Sequence, residues 1–136
     1  MPGQFISSIE VKRQKSEWGS LARFSGPVES KAKHLVVIEV TLSPGGAHKF
    51  HKHPNQEEVI FVIEGEIEQW IDHDRRMLRS GDSAFVGADV VHASFNASDR
   101  NARLLAILGP CIGAEGYDLV DVADQEPWVS FKAVKD

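Results

Sequence analysis

Short runs of apolar residues, separated by turn residues at close intervals, predict an all-β chain. Val and Ile dominate 34–42, an almost continuous apolar run covers 58–63, and apolar and polar residues alternate across 67–71. The same reasoning predicts a polar loop at 72–76 and further short strands at 77–79, 83–86, 92–96 and 104–108. Several short strands at this spacing are typical of a sandwich or a barrel. No stretch has the periodicity of an amphipathic helix of ten residues.

The two ends of the chain are less regular than its middle. Residues 1–34 and 110–136 flank the strand-rich stretch 35–109. Apolar side chains in these two extensions include Phe5, Trp18, Phe24, Tyr117, Trp128 and Phe131. So many apolar groups need a surface to pack on, because leaving them in water is unfavourable.

Composition places the chain among ordinary globular proteins and excludes several function classes. A length of 136 residues fits one domain, and the hydrophobic fraction is 42%. The net charge of −5 and the lack of a basic cluster argue against nucleic-acid binding. No apolar run is long enough to span a membrane, and no signal-peptide pattern is present, so we expect a cytoplasmic protein. Cys111 is the single cysteine and is expected to be a buried structural thiol rather than a nucleophile.

Metal-ligating residues are grouped around two predicted strands. His51 and His53 are two residues apart, Glu58 follows them, and His92 lies about forty residues further on. Residues i and i+2 of a strand point to the same face, so the two neighbouring imidazoles can reach one ion. An imidazole and a carboxylate from other strands would complete the site. Iron, manganese, nickel, copper and zinc all accept such ligands, so we expect one divalent transition metal per chain.

The spacing of glycines and an asparagine around these ligands makes the pattern more specific. It resembles the paired motifs of the cupin family in order, residue type and spacing. The matching residues are Gly45, His51, His53, Glu58 and Gly65 in the first stretch, and Gly81, His92 and Asn96 in the second. The second stretch departs from the family pattern at Gly87, where proline is usual, and at Asp89, where glycine is usual. Asp89 can still adopt a left-handed turn at some cost, so we expect the same turn in a looser form.

The resemblance implies a single-domain cupin β-barrel, that is, a double-stranded β-helix or jelly roll. It also implies metal ligation by His51, His53, Glu58 and His92, and a homodimer. In small cupins, extensions such as 1–34 and 110–136 cover the barrel or cross to a partner subunit, and we expect the same of them. Strict alternation from His53 would favour Glu57 instead, but Pro54 interrupts the strand, and the spacing to Gly65 selects Glu58 by resemblance.

Cupins catalyse many unrelated reactions, so the resemblance does not fix an activity. Open metal positions beside three imidazoles and Glu58 favour a small metal-dependent enzyme acting on a small organic molecule. Dioxygenase-like oxidoreductase chemistry is its leading version, and Glu58 is the candidate catalytic base. The alternatives are a binding or sensing protein in which the metal anchors a ligand, and a metal that only cross-links strands.

Other residues of chemical interest are expected to have structural roles. His48 is close to His51, but its parity in a regular strand is wrong for the same face, so we expect it near the site or on the surface. His34 and His73 are expected on the surface. Trp70, Phe85 and Phe95 fit either a ligand pocket or core packing.

Overall fold

The computed structural model describes residues 2–135, which form two antiparallel sheets. The six-stranded sheet has the order β1-β2-β3-β10-β5-β8, and the five-stranded sheet has the order β11-β4-β9-β6-β7. Within residues 2–135 no strand pairing joins the sheets, so they face each other without closing into a hydrogen-bonded barrel. The elements are β1 (Arg13–Ser16), β2 (Gly19–Ser25), α1 (Pro27–Ser30), β3 (Val36–Leu42), β4 (Ala47–Lys52), β5 (Glu57–Glu64), β6 (Glu66–Ile71), β7 (Asp74–Arg79), β8 (Ser83–Val86), β9 (His92–Phe95), β10 (Ala102–Gly109), β11 (Val120–Asp121) and α2 (Trp128–Lys135).

The core lies between the two sheets and follows from strict alternation. Along β3 and β10 every second residue is buried, and the two strands pair over their whole length. On β5, Ile60 and Val62 continue the inward face that Glu58 begins. Burial of apolar area at about 25 cal/mol per Å² makes this layer the main source of stability. The buried apolar residues include Val36, Ile38, Val40, Leu42, Ile60, Val62, Ile67, Val86, Leu104 and Leu108.

The five-stranded sheet is covered on both faces. Its outer face carries a second cluster in which Phe50 contacts Trp70, Phe95 and Trp128 at ring-centroid distances of 5.5, 5.7 and 5.4 Å. Phe131 of α2 stacks on Trp70 at 5.1 Å. The C-terminal extension therefore packs through α2 on the outside of this sheet.

The N-terminal extension supplies two strands that the sequence analysis did not identify. β1 pairs with β2, and β2 pairs with β3, so both belong to the six-stranded sheet. Trp18 and Leu21 pack against the core, whereas Phe5 and Ile9 are exposed. Packing of this extension on a partner subunit, and the homodimer itself, stay predictions.

The predicted polar loop at 72–76 is wrong. β7 begins at Asp74 and pairs with β6 after a tight turn in which Asp72 has a φ of 53°. The charged residues Arg75 and Arg76 misled the prediction because an edge strand exposes much of its length and tolerates charge. Separately, no helix among residues 2–135 is long and apolar enough to span a membrane.

Candidate metal centre

Four residues from three strands converge at one end of the space between the sheets. His51 lies near the end of β4, His53 follows that strand, Glu58 is the second residue of β5, and His92 opens β9. One ligand atom from each residue lies within 4.8 Å of the others, and all four residues are buried. Glu57 is exposed, so the choice of Glu58 agrees with the geometry. Pro54 and Asn55 form a turn before β5, which resets the alternation that had favoured Glu57.

Each histidine is oriented by a backbone carbonyl. The Nδ1 atoms of His51, His53 and His92 lie 2.6, 2.6 and 3.0 Å from the carbonyl oxygens of Lys49, Asp118 and Val90. A carbonyl only accepts hydrogen bonds, so each Nδ1–H donates. In a neutral ring, this tautomer leaves the Nε2 lone pair for a ligand. Such backbone partners are typical of metal-ligating histidines, because they fix the tautomer and the ring orientation.

The arrangement of the acceptor atoms fits a bound cation. Oε1 of Glu58 lies 2.8 Å from Nε2 of His92 and 3.3 Å from Nε2 of His53. Glu58 Oε1 and His92 Nε2 are nevertheless buried without a well-formed hydrogen bond. Their short separation brings two acceptors together, which is favourable only with a proton or a cation between them. Three imidazole nitrogens and a carboxylate oxygen are the donors that divalent transition metals prefer. The residues present therefore fit such a metal.

Electrostatics at the group are dominated by burial and by Glu58. Burial lowers the pKa of His51 to about 3, so this ring stays neutral and able to coordinate. Burial alone would raise the pKa of Glu58, but the imidazoles of His53 and His92 outweigh it and lower the pKa to about 2. Burial also acts to lower the pKa of His53, and the Glu58 carboxylate overcomes this effect, so the pKa of His53 is raised.

A segment of the C-terminal extension, residues 110–121, crosses the group and is called the strap here. Gln56, which lies between His53 and Glu58 in the sequence, is buried. Its Nε2 donates to the carbonyls of Pro110 and Gly116 at 2.8 and 2.9 Å. Asp118 N donates back to Gln56 Oε1 at 3.3 Å. The strap thereby supplies the Asp118 carbonyl that orients His53. Gln56 shares the inward parity of Glu58, but its residue type alone did not mark it as part of the site.

The turn before His92 forms despite its unusual residues. Asp89 adopts a left-handed conformation with a φ of 66°, as expected for a position where the family pattern has glycine. Its backbone N donates to the carbonyl of His53 at 2.9 Å, which ties this turn to the ligand loop. Asn96 fastens the far end of β9, because its Nδ2 donates to the carbonyls of Leu42 and Arg100 at 2.9 and 2.7 Å.

The parity argument against His48 is wrong, because β4 is not a regular strand. His48 pairs with Ser94 and His51 pairs with His92, so three steps on β4 match two on β9 and a β-bulge lies between them. The bulge shifts the alternation of side chains along β4 by one residue, so both histidines point to the inner face. Their ring centroids lie 6.4 Å apart. Burial lowers the pKa of His48 to about 4, so this ring is also neutral near pH 7.

An open cavity of about 360 Å³ reaches the group from the seam between β2 and β4. His48 and His51 line it, together with the apolar and aromatic residues Trp18, Leu21, Tyr117 and Leu119 and the charged residues Lys49 and Asp121. A larger cavity of about 510 Å³ lies under the N-terminal segment and is lined by none of the four grouped residues. The seam therefore offers a route by which a small molecule could approach His51.

The remaining candidates lie away from the group. Trp70 and Phe95 belong to the outer aromatic cluster, so core packing is the correct interpretation for both. Phe85 is exposed on the outer face of the six-stranded sheet. His34 and His73 are on the surface, and Cys111 is partly buried against the core.

Comparisons with known proteins agree with this architecture. SchB from Streptomyces halstedii is 37% identical over 123 residues, which cover 90% of this chain and 89% of SchB. The polyketide synthase CurC from Streptomyces cyaneus is 28% identical over 110 residues, covering 81% of this chain and 71% of CurC. The structure of the polyketide cyclase RemF from Streptomyces resistomycificus superposes with a TM-score of 0.73 at 17% identity, covering 95% of this chain and 92% of RemF.

The cupin-domain family model matches residues 38–108. This stretch runs from β3 to β10 and contains the four converging residues and both motif regions. Its two facing sheets have the double-stranded β-helix arrangement that the sequence predicted. The chain belongs to the cupin family.

Proposed function

We propose that this protein is a metal-dependent enzyme that acts on a small, oxygen-bearing organic molecule of the polyketide type. The convergence of three oriented imidazoles and one buried carboxylate carries the proposal. The names of two similar proteins, a polyketide synthase and a polyketide cyclase, support this substrate class. An aromatic and apolar cavity beside His51 supports it independently, since such walls suit a flat organic molecule better than a sugar phosphate.

In this proposal His51, His53, Glu58 and His92 hold the metal, and their backbone partners keep the imidazoles in place. The bound metal would supply Lewis acidity toward a substrate oxygen or, if it is redox-active, a path for electrons from the substrate to dioxygen. Glu58 is the candidate catalytic residue, because its carboxylate lies among the ligands and can accept a proton from the substrate. Trp18 and Tyr117 would restrict water at the cavity and orient the substrate.

Binding of a defined probe tests the proposal. 2-Acetyl-1-naphthol is flat and carries a hydroxyl beside a ketone, so two neighbouring oxygens can approach a metal. Zinc-loaded protein should bind it at least about tenfold more tightly than metal-free protein, a difference of about 1.4 kcal/mol in calorimetry. Equal affinity in the two forms would contradict a role for the metal in substrate binding.

Turnover separates the versions of the proposal. Iron-loaded protein that consumes oxygen with a polyketide-type substrate would support the dioxygenase-like version. Conversion without oxygen uptake would support a cyclising or isomerising reaction. Tight, metal-dependent binding without conversion of any such substrate would instead support the binding or sensing alternative.

A further inference from the structure

His48 has a position that metal ligation does not explain. The β-bulge in β4 turns its imidazole to the inner face beside His51, yet it is not among the four residues whose ligand atoms converge. The ring centroids of His48 and His51 are 6.4 Å apart. His48 is thus close enough to contact a molecule that also reaches the metal site.

Trp18 fixes the orientation of this ring. The indole of Trp18, in the β1–β2 turn, meets the His48 imidazole edge-on at a centroid distance of 4.5 Å. This contact limits rotation of the imidazole ring. Within residues 2–135 neither nitrogen of His48 has a hydrogen-bond partner, although the other three inner-face histidines each bond a carbonyl through Nδ1. The imidazole of His48 is therefore oriented by Trp18, and its ring nitrogens are available to hydrogen-bond a ligand.

The surroundings indicate the chemistry that this imidazole would recognise. The cavity walls beside it include the aromatic and apolar side chains of Trp18, Leu21, Tyr117 and Leu119. The charged residues Lys49 and Asp121 also line the cavity. Arg23 lies over the Tyr117 ring, with its guanidinium carbon 5.6 Å from the centroid, and this holds that wall in place. Flat apolar walls with a few placed polar groups favour a planar organic ligand, and the polar groups set its orientation.

We infer that His48 is a substrate-contacting residue whose imidazole N–H donates a hydrogen bond to a ketone oxygen of a planar hydroxy-ketone, while the neighbouring hydroxyl oxygen approaches the four-residue group. The inference rests on the proposed function, since it assumes an organic substrate at that group. It adds a specificity determinant: a ketone beside the hydroxyl is recognised by His48, and a plain hydroxyl compound lacks this contact.

Two probes and four proteins test the inference by calorimetry. The probes are 2-acetyl-1-naphthol and 1-naphthol, which lacks the ketone. The proteins, all zinc-loaded, are the wild type, His48→Phe, His48→Gln and the surface control His34→Phe. His48→Phe keeps an aromatic ring against Trp18 and removes the donor, whereas His48→Gln keeps an N–H donor.

The wild type and His34→Phe should prefer 2-acetyl-1-naphthol over 1-naphthol. His48→Phe should bind 2-acetyl-1-naphthol about five- to tenfold more weakly, as expected for one lost hydrogen bond, and should bind 1-naphthol unchanged. His48→Gln should retain part of the preference. If His48→Phe does not fold, the comparison of His48→Ala with His48→Gln carries the same test.

Three results would overturn the inference. An unchanged preference in His48→Phe would mean that His48 only packs on Trp18, and the proposed function would stand. Loss of zinc from His48→Phe would mean that His48 acts on the metal site rather than on substrate. Failure of the wild type to bind either probe would reject the substrate class, and with it both the inference and the proposed function.

Discussion

The two faces of the five-stranded sheet use the same strands for opposite purposes. On β4 and β6, Phe50 and Trp70 point outward, while their neighbours His51 and Gln69 point inward. The outer face buries aromatic rings against α2, whereas the inner face buries histidines and an amide opposite Glu58 of the six-stranded sheet. Burying polar groups costs free energy unless they are paired, and aromatic burial offsets that cost. We interpret the outer face as support for a rigid but intrinsically unfavourable inner site.

Truncation of the outer face should give the largest loss of stability. Phe50→Ala removes a fully buried ring with four aromatic neighbours, and we expect the free energy of unfolding to fall by about 3–5 kcal/mol. The melting temperature should fall by roughly 10 °C. Phe61→Ala, on the partly exposed outer face of the other sheet, is the control and should cost less than about 1–2 kcal/mol. Equal losses of stability in the two variants would mean that the aromatic cluster contributes no more than an exposed ring.

Acid should destabilise the fold through the buried histidines of the inner face. The folded pKa values of His51 and His48, about 3 and about 4, lie below the unfolded value of 6.5. Between pH 6.5 and these folded pKa values the unfolded chain therefore binds more protons than the folded chain. The free energy of unfolding falls as the pH falls below 6.5. We expect metal-free protein to lose on the order of 3 kcal/mol between pH 7 and pH 4.5 in urea titrations.

The raised pKa of His53 has the opposite sign. Its contribution is complete below pH 6.5 and declines as the pH rises, so it does not offset the acid loss. His51→Phe should flatten the profile. A wild-type profile without a slope between pH 4.5 and pH 6.5 would contradict the burial of neutral rings on the inner face.

Gln56 links the inner face to the strap, and its loss should have an intermediate effect. Gln56→Ala leaves the carbonyls of Pro110 and Gly116 without their amide donor, which should cost about 1–3 kcal/mol. The Asp118 carbonyl that orients His53 should also become less fixed, so zinc affinity should fall by up to about tenfold. Gln4→Ala, at an exposed amide, is the matched control. Unchanged zinc affinity in Gln56→Ala would show that the strap does not influence metal binding.

Glu58→Gln should change function more than stability. The amide has nearly the same shape as the carboxylate, but it leaves the imidazoles of His53 and His92 without the charge that they stabilise, so metal-free protein should lose about 1–3 kcal/mol of stability near pH 7. Conversion of substrate by the metal-loaded protein should fall at least about a hundredfold if Glu58 moves a proton. Unchanged conversion rates would reduce Glu58 to a passive neighbour of the metal.

The sequence predicted those parts of the fold that depend on local alternation and on spacing. The strands β3, β5 and β10 were predicted from stretches rich in Val, Ile and Leu, whereas their strict inward alternation is a feature of the folded sheet. The four converging residues were predicted from the spacing of histidines, Glu58 and glycines, by resemblance to the cupin motifs. Asp89 was correctly expected in a left-handed turn. These features depend on neighbours in the chain or on a known family pattern.

Features that depend on distant contacts were missed. The bulge that turns His48 inward is set by the pairing of β4 with β9, and no residue of 48–51 marks it. The strap contacts His53 through Asp118, sixty-five positions further along the chain. Gln56 gains its role only through its own hydrogen bonds to the strap. The apolar residues of α2 were noticed, but their place on Phe50 and Trp70 required the folded sheet.

The most direct test of the central claim is elemental analysis of untagged protein purified without added metal, beside His51→Ala, His92→Ala and the control His34→Ala. We predict one transition-metal ion per chain in the wild type and the control. In His51→Ala and His92→Ala, metal affinity should fall at least about tenfold, on the order of 1.4 kcal/mol. Wild-type protein that holds no metal even after soaking, or variants that keep the full amount, would contradict a metal site at these residues.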